Sequence, residues 1–154
     1  MEYLIVKWLH ILSSTLLFGT GLGSAYYMFF ASRTRDPRVI AVVVGHVVIA
    51  DWLFTATTVI FQPVSGFFLA HLAGMPLDSR WIIWSTLLYL FAGACWLPVV
   101  GMQIRMRRMA QDAVRAGNGM PPLYWRYLRY WTMLGICAFV ALVAVFYLMV
   151  AKPV

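Results

Sequence analysis

The sequence predicts an all-α protein, a bundle of four transmembrane helices, and three observations carry that prediction. Of its 154 residues 63% are hydrophobic and only 11% are charged, whereas a soluble domain carries about 25% charged residues. The apolar residues fall into four runs, each long enough to cross a hydrocarbon core of roughly 30 Å. The basic residues stand beside those runs in two clusters, Arg33, Arg35 and Arg38 in one and Arg105, Arg107, Arg108, Arg115, Arg126 and Arg129 in the other. Residues 1–154 read as a single integral membrane domain, because dividing a chain of this length leaves each part without a core.

The first run spans about 3–31. It is as long as a full crossing and lacks a basic start with a small-residue cleavage site, so the reading keeps it in the mature chain rather than as a signal peptide. It ends in Ser32-Arg33-Thr34-Arg35-Asp36-Pro37, where Asp36 is placed to cap the next helix and Pro37 to fill its first turn.

The second run, about 37–73, is longer than one crossing requires. Pro63 removes a helical hydrogen bond within it, which predicts a helix kinked at Pro63 whose last part lies along the outer interface. Gly74-Met75-Pro76-Leu77-Asp78-Ser79 supplies a stop, a turn and a new cap.

The third helix, about 80–116, is apolar to Val100 and then polar and amphipathic, so its last turns project from the membrane. Gly117-Asn118-Gly119-Met120-Pro121-Pro122 is the plainest loop in the chain. The fourth helix follows over about 123–150, with Tyr124, Trp125, Tyr127, Tyr130 and Trp131 at its entrance expected to form half of an aromatic belt. Cys95 and Cys137 sit in separate apolar runs without metal or redox spacing and read as buried fillers.

The net charge of +7 does not indicate nucleic acid, since the arginines flank spans instead of forming a soluble face. By the positive-inside rule they lie in the cytoplasm, and Lys7, Arg80 and Lys152 mark the opposite side. Both termini are therefore expected outside the cytoplasm, with the lipid bilayer as the main partner.

Function is sought among polar residues inside the spans, because such groups are costly in hydrocarbon and face the bundle or a cavity. On the first helix His10, Ser14, Leu17, Gly21 and Ser24 recur at intervals of four and three and share a face. With Gly19 and Gly23 nearby, that face lets a second helix or a flat ligand approach, and it permits a homodimer. On the second helix Asp51, Thr55, Thr58 and Gln62 share a face. Asp51 is the one acid deep in a span. Two uses of it stay open, a neutral acid bonded to a neighbouring helix or a proton relay. Ser85, Tyr89, Trp96 and Gln103 form a stripe on the third helix that offers partners.

The histidines His10, His46 and His71 are the good nitrogen ligands in the chain, and an imidazole facing a bundle interior suits haem iron. His10 and His46 differ in depth by roughly 12 Å on helical rise, which makes sharing one iron awkward. A folded-back segment beyond Pro63 would bring His71 level with His10. Met102, Met106 and Met109 suit copper(I) in principle, but at helical spacing they read first as apolar filler. Phosphate loops, nucleophile elbows, paired catalytic carboxylates and zinc motifs do not occur.

Leu4-Ile5-Val6-Lys7-Trp8-Leu9-His10-Ile11-Leu12, Ala50-Asp51-Trp52-Leu53-Phe54-Thr55, Gln62-Pro63-Val64-Ser65-Gly66, Cys95-Trp96-Leu97-Pro98, Gln103-Ile104-Arg105-Met106-Arg107 and Met149-Val150-Ala151-Lys152-Pro153 together resemble an uncharacterised bacterial family of predicted integral membrane proteins. That resemblance covers nearly the whole chain and implies a multi-pass protein of the bacterial inner membrane. More distantly, the first helix is similar to that of the HemJ-type protoporphyrinogen oxidases and CopD-like membrane proteins, in which an early histidine is associated with haem. The matching position here is His10. The lysine of the HemJ pattern near the start of the third helix has no counterpart, since Trp81, Ile82, Ile83, Trp84 and Ser85 stand there.

The resemblance implies a haem b-binding membrane protein of redox or haem-handling function. His10 would be the axial ligand, Ser14 and Gly21 would line the slot, and His71 and His46 are further candidates. Two other readings stand beside it. One is a non-catalytic membrane subunit or small-solute carrier with a polar path at Asp51 and Gln62, and the other is a protoporphyrinogen oxidase-like enzyme.

Overall fold

The computed structural model describes residues 1–152, so Pro153 and Val154, the end of the single-domain reading and of the last family motif, lie outside the described residues. All of its regular structure is helical, in four long helices. They run over Glu2–Arg33, Pro37–Leu72, Arg80–Ala116 and Pro122–Ala151, and each is long and apolar enough to cross a membrane. The ends lie within two residues of those expected from the sequence because local chemistry sets them. Asp36 accepts a hydrogen bond from the Arg38 amide at 2.8 Å, and Pro37 takes the first helical position behind that cap. Gly74 and Gly117 end the second and third helices in left-handed conformation, at φ 62° and 65°. Their following amides close back to Ala70 and Ala113 at 2.9 and 3.0 Å, the hydrogen bond of a glycine-ended helix.

The third helix, 37 residues long, extends for roughly 55 Å, well beyond a hydrocarbon core. It packs along the fourth helix. The first half of the second helix lies against the first and third helices, while its second half packs against the first. One cluster of buried side chains holds the arginine-rich half together, built from Met28, Ile40, Val44, Val47, Val99, Met106, Ala110, Tyr124 and Trp131. Outward-facing residues such as Trp84, Leu97 and Tyr147 are large and apolar, as a lipid-facing surface requires. Between helices in lipid there is no water to expel, so close packing and interhelical hydrogen bonds supply the association.

Three expectations change. The second helix continues through Pro63 to Leu72, and its last part does not lie off along the outer interface, since Ser65 and Ala70 beyond the proline are buried in the bundle. A departure from α-helical geometry lies earlier, in a π-helical segment at Asp51–Thr55. Tyr124 and Trp131 are not belt residues. Both are buried, and the Tyr124 hydroxyl lies 2.7 Å from Ser32 Oγ on the first helix; Tyr130 faces outward. Of the two free cysteines, Cys95 is buried and Cys137 is exposed.

Candidate functional site

The buried stripe of the second helix changes character at Asp51. Before it come Ile40, Val44, Val47 and Val48, and from it onward come Asp51, Thr55, Thr58, Gln62 and Ser65. From Asp51 to Ser65, roughly 21 Å of helix, every residue this helix buries is polar. The π-helical turn sits at the changeover. It leaves Trp52, Leu53 and Phe54 outside while Asp51 and Thr55 at its two ends both point inward. Widened turns of this kind are frequent where a helix carries a functional group.

Hydrogen bonds satisfy most of the row. Thr55 donates to the Asp51 carboxylate at 3.0 Å, and Gln103, only 2% exposed on the third helix, is a second neighbour of that carboxyl. Thr58 donates to the Phe54 and Thr55 carbonyls at 2.6 and 3.1 Å. Gln62 reaches across to the first helix, its Nε2 donating to the His10 carbonyl at 2.9 Å. Tyr89 of the third helix donates to the Val59 carbonyl at 2.8 Å.

At the far end of the row, His10 Nδ1 lies 2.7 Å from Ser65 Oγ. The Ser65 hydroxyl has one hydrogen, and it is committed to its own helix, to the Phe61 carbonyl at 2.7 Å with Gln62 at 3.2 Å. Ser65 Oγ therefore accepts from the imidazole, so Nδ1 carries the proton and Nε2 presents a lone pair. Gly66 makes the approach possible, since a Cβ built there would stand 3.3 Å from His10 Cε1. Among the described residues the hydroxyls of Ser13 and Ser85 and the indole nitrogens of Trp96 and Trp131 are buried without a hydrogen-bond partner.

Asp51, Thr55, Thr58 and Gln62 thus share the inward face that their spacing implies, and the row is joined to His10 through Gln62 and Ser65. Ser14 is half-buried and its hydroxyl turns back to the Ile11 carbonyl at 2.7 Å. Gly21 is exposed with open space around it. His46 and His71 are both exposed. Among the described residues no three His, Cys, Asp or Glu side chains come together as a metal-binding group. Met106 is fully buried in the core with Met102 and Met109 against it, as filler. Ser65 and Ser13 were missed by sequence reasoning. Ser65 continues the three-and-four spacing of the second-helix row, and Ser13 competes with Ser14 for the turn beside His10.

A four-span helical bundle with a lipid-facing apolar surface and a buried polar row is a multi-pass integral membrane protein. The family model for a predicted integral membrane protein, DUF2269, matches residues 4–153, and the chain belongs to that family. No curated protein and no solved structure matches it.

Proposed function

We propose that this chain is a non-catalytic membrane subunit or small-solute carrier in which the row from Asp51 to His10 passes protons. The observation that carries the reading is that from Asp51 to Ser65 one helix buries nothing but polar side chains, inside a helix long and apolar enough to cross a membrane. Polar groups there are costly to keep and mark ion paths and proton relays. The row has a titratable group at each end, the Asp51 carboxyl and the imidazole with its lone pair on Nε2. The hydroxyls and amide between them would be bridged by water to complete a relay. On this reading the arginine-rich end faces the cytoplasm of a bacterial cell, with both termini on the other side.

The test is proton uptake into vesicles carrying the reconstituted protein and a trapped pH indicator, driven by an imposed potential. Uptake above that of empty vesicles is expected, with at least tenfold less for Asp51→Asn. Uptake that is absent, or equal in the wild type and Asp51→Asn, sinks the reading.

One observation favours a second reading, haem b on His10. A ligating imidazole donates its other ring nitrogen to a fixed acceptor, and Ser65 is that acceptor for Nδ1. On this reading His10 would hold the iron through Nε2, and the exposed His46 and His71 offer no second ligand from within the bundle. Haem would supply one-electron chemistry when bound, while the chain's part is to hold Nε2 unprotonated. Haem-supplied protein is then expected to show a Soret band that is lost in His10→Ala, and a flat spectrum rules this reading out.

A further inference from the structure

At the arginine-rich end, opposite the polar row, the chain makes a choice that backbone energetics alone would not favour. All four of its helices end in a left-handed residue just beyond the last turn. Two of these are glycines, Gly74 and Gly117, Lys152 at φ 41° follows the fourth helix on the far side, and after the first helix at this end stands Arg35 at φ 58°. Glycine adopts that conformation freely, whereas a residue with a Cβ is strained in it. Strain held at one position by the surrounding structure is a reason to ask what the side chain does.

The Arg35 side chain borders a recess of about 400 Å³ lined also by Gly119, Met120 and Trp125, where the loop between the third and fourth helices meets the end of the first. Its guanidinium carbon stands 6.0 Å from the centre of the Trp125 ring. No acid neutralises it, since the one salt bridge among the described residues joins Arg115 to Asp112. Asp36, the next residue, is committed to capping the second helix. Around the recess this end of the bundle carries nine arginines against those two aspartates.

We propose that the recess is a binding site for the headgroup of an anionic phospholipid, with the phosphodiester on the Arg35 guanidinium and the glycerol backbone against Met120 and Trp125. Arginine matches a phosphate with a planar fork of donors. A tryptophan at the entrance of a span sits at headgroup depth. The charge at this end fits an anionic leaflet, to which each basic residue contributes about 1 kcal/mol. The proposal does not depend on the polar row or on haem, and it fails or stands without them.

The backbone supplies a separation of effects. Arg35→Gly removes the guanidinium and relieves the left-handed strain, so it should bind less lipid while folding as well as the wild type or better. The experiment is native mass spectrometry of the full chain in detergent, with phosphatidylglycerol and phosphatidylcholine added in equal amounts. The wild type is expected to retain phosphatidylglycerol preferentially. Arg35→Gly and Arg35→Gln should retain about tenfold less, the order of loss when a charge-assisted hydrogen bond to phosphate is removed. Arg129→Gln, which removes the same charge outside the recess, should retain as much as the wild type. Retention unchanged in both Arg35 variants overturns the proposal. So does an equal loss in Arg129→Gln, which would mean diffuse attraction, or displacement of the lipid by millimolar inorganic phosphate, which would mean a soluble ligand.

Discussion

Tyr89 supplies the hydrogen bond that Pro63 takes away. Proline at position 63 has no amide hydrogen to give the carbonyl four residues earlier, which is that of Val59, and the Tyr89 hydroxyl from the third helix donates to that carbonyl at 2.8 Å. In hydrocarbon an orphaned backbone carbonyl has no water to turn to, so a proline inside a span is tolerated where a neighbouring helix satisfies the freed group. The pairing explains why the second helix runs unbroken through Pro63, and why Tyr89 is oriented toward that helix. It also ties the third helix to the second in the half of the bundle where the two share few other contacts.

The pairing predicts energetic coupling. Tyr89→Phe is expected to destabilise the protein by about 0.6 kcal/mol, and by no more than ~1.7 kcal/mol, the range for interhelical hydrogen bonds in a membrane. Pro63→Ala restores an amide donor to the Val59 carbonyl, so in that background Tyr89→Phe should cost much less. Reversible unfolding of the four proteins in bicelles measures the cycle. Costs that simply add would show that the two residues do not act on one carbonyl.

A second prediction concerns the His10 proton. With Ser65 Oγ accepting, the neutral imidazole is the Nδ1–H tautomer, and nitrogen-15 shifts of labelled histidine should show Nδ1 protonated and Nε2 bare. Ser65→Ala removes the acceptor and should yield a mixture of tautomers. A wild-type spectrum with the proton on Nε2 would contradict the direction assigned to this hydrogen bond.

Gly66→Ala tests the packing that holds the same ring. The added methyl would meet His10 Cε1 at 3.3 Å, closer than ordinary contact, and the first helix or the imidazole must give by a few tenths of an ångström. Overpacking of a tight contact costs about 1–3 kcal/mol, and the lower end is expected because the shift is small. The His10 ring resonances should move together with the loss of stability. A stability change without any change at His10 would place the strain elsewhere.

How much of this was open to the sequence depended on whether the cause was local. Helix ends were readable because Asp36 with Pro37, Gly74 and Gly117 act within a few residues of themselves. The inward face of Asp51, Thr55, Thr58 and Gln62 was readable from period alone, and Ser65 follows by carrying the same period one step past Pro63. On the first helix the period misled. From His10 both Ser13 and Ser14 fall on the same side, and the crossing with the second helix decides for Ser13. Two helical turns further along, Gly21 faces outward while Leu17 and Met28 are buried. The π-helical turn has no residue signature, since it arises where the buried face must stay in phase across Asp51. Tyr124 and Trp131 suit a belt from sequence because aromatic side chains at a span entrance fit headgroups and core equally, and only what they pack against, Ser32 for Tyr124 and the buried core cluster for Trp131, distinguishes them.

The last prediction separates the two roles open to Asp51. Thr55 donates to its carboxyl at 3.0 Å, and Gln103 lies against it from the third helix. If the acid serves only to join helices, its amide analogue should do nearly as well, because Asp51→Asn keeps the shape and an acceptor oxygen. Asp51→Asn is then expected to change stability by less than about 1 kcal/mol. Thr55→Val removes the donor and leaves a carboxyl oxygen unpaired, so it should cost about 1–3 kcal/mol. A proton carrier makes the opposite demand on activity, since asparagine cannot exchange the proton whereas a valine beside an intact carboxyl leaves it titratable. Proton uptake should therefore be lost in Asp51→Asn with stability kept, and retained in part in Thr55→Val with stability lowered. Unfolding in bicelles and uptake into vesicles, run on the same two variants, measure both quantities. If Asp51→Asn keeps both uptake and stability, and uptake in Thr55→Val falls only as its stability does, Asp51 is a structural acid and nothing more.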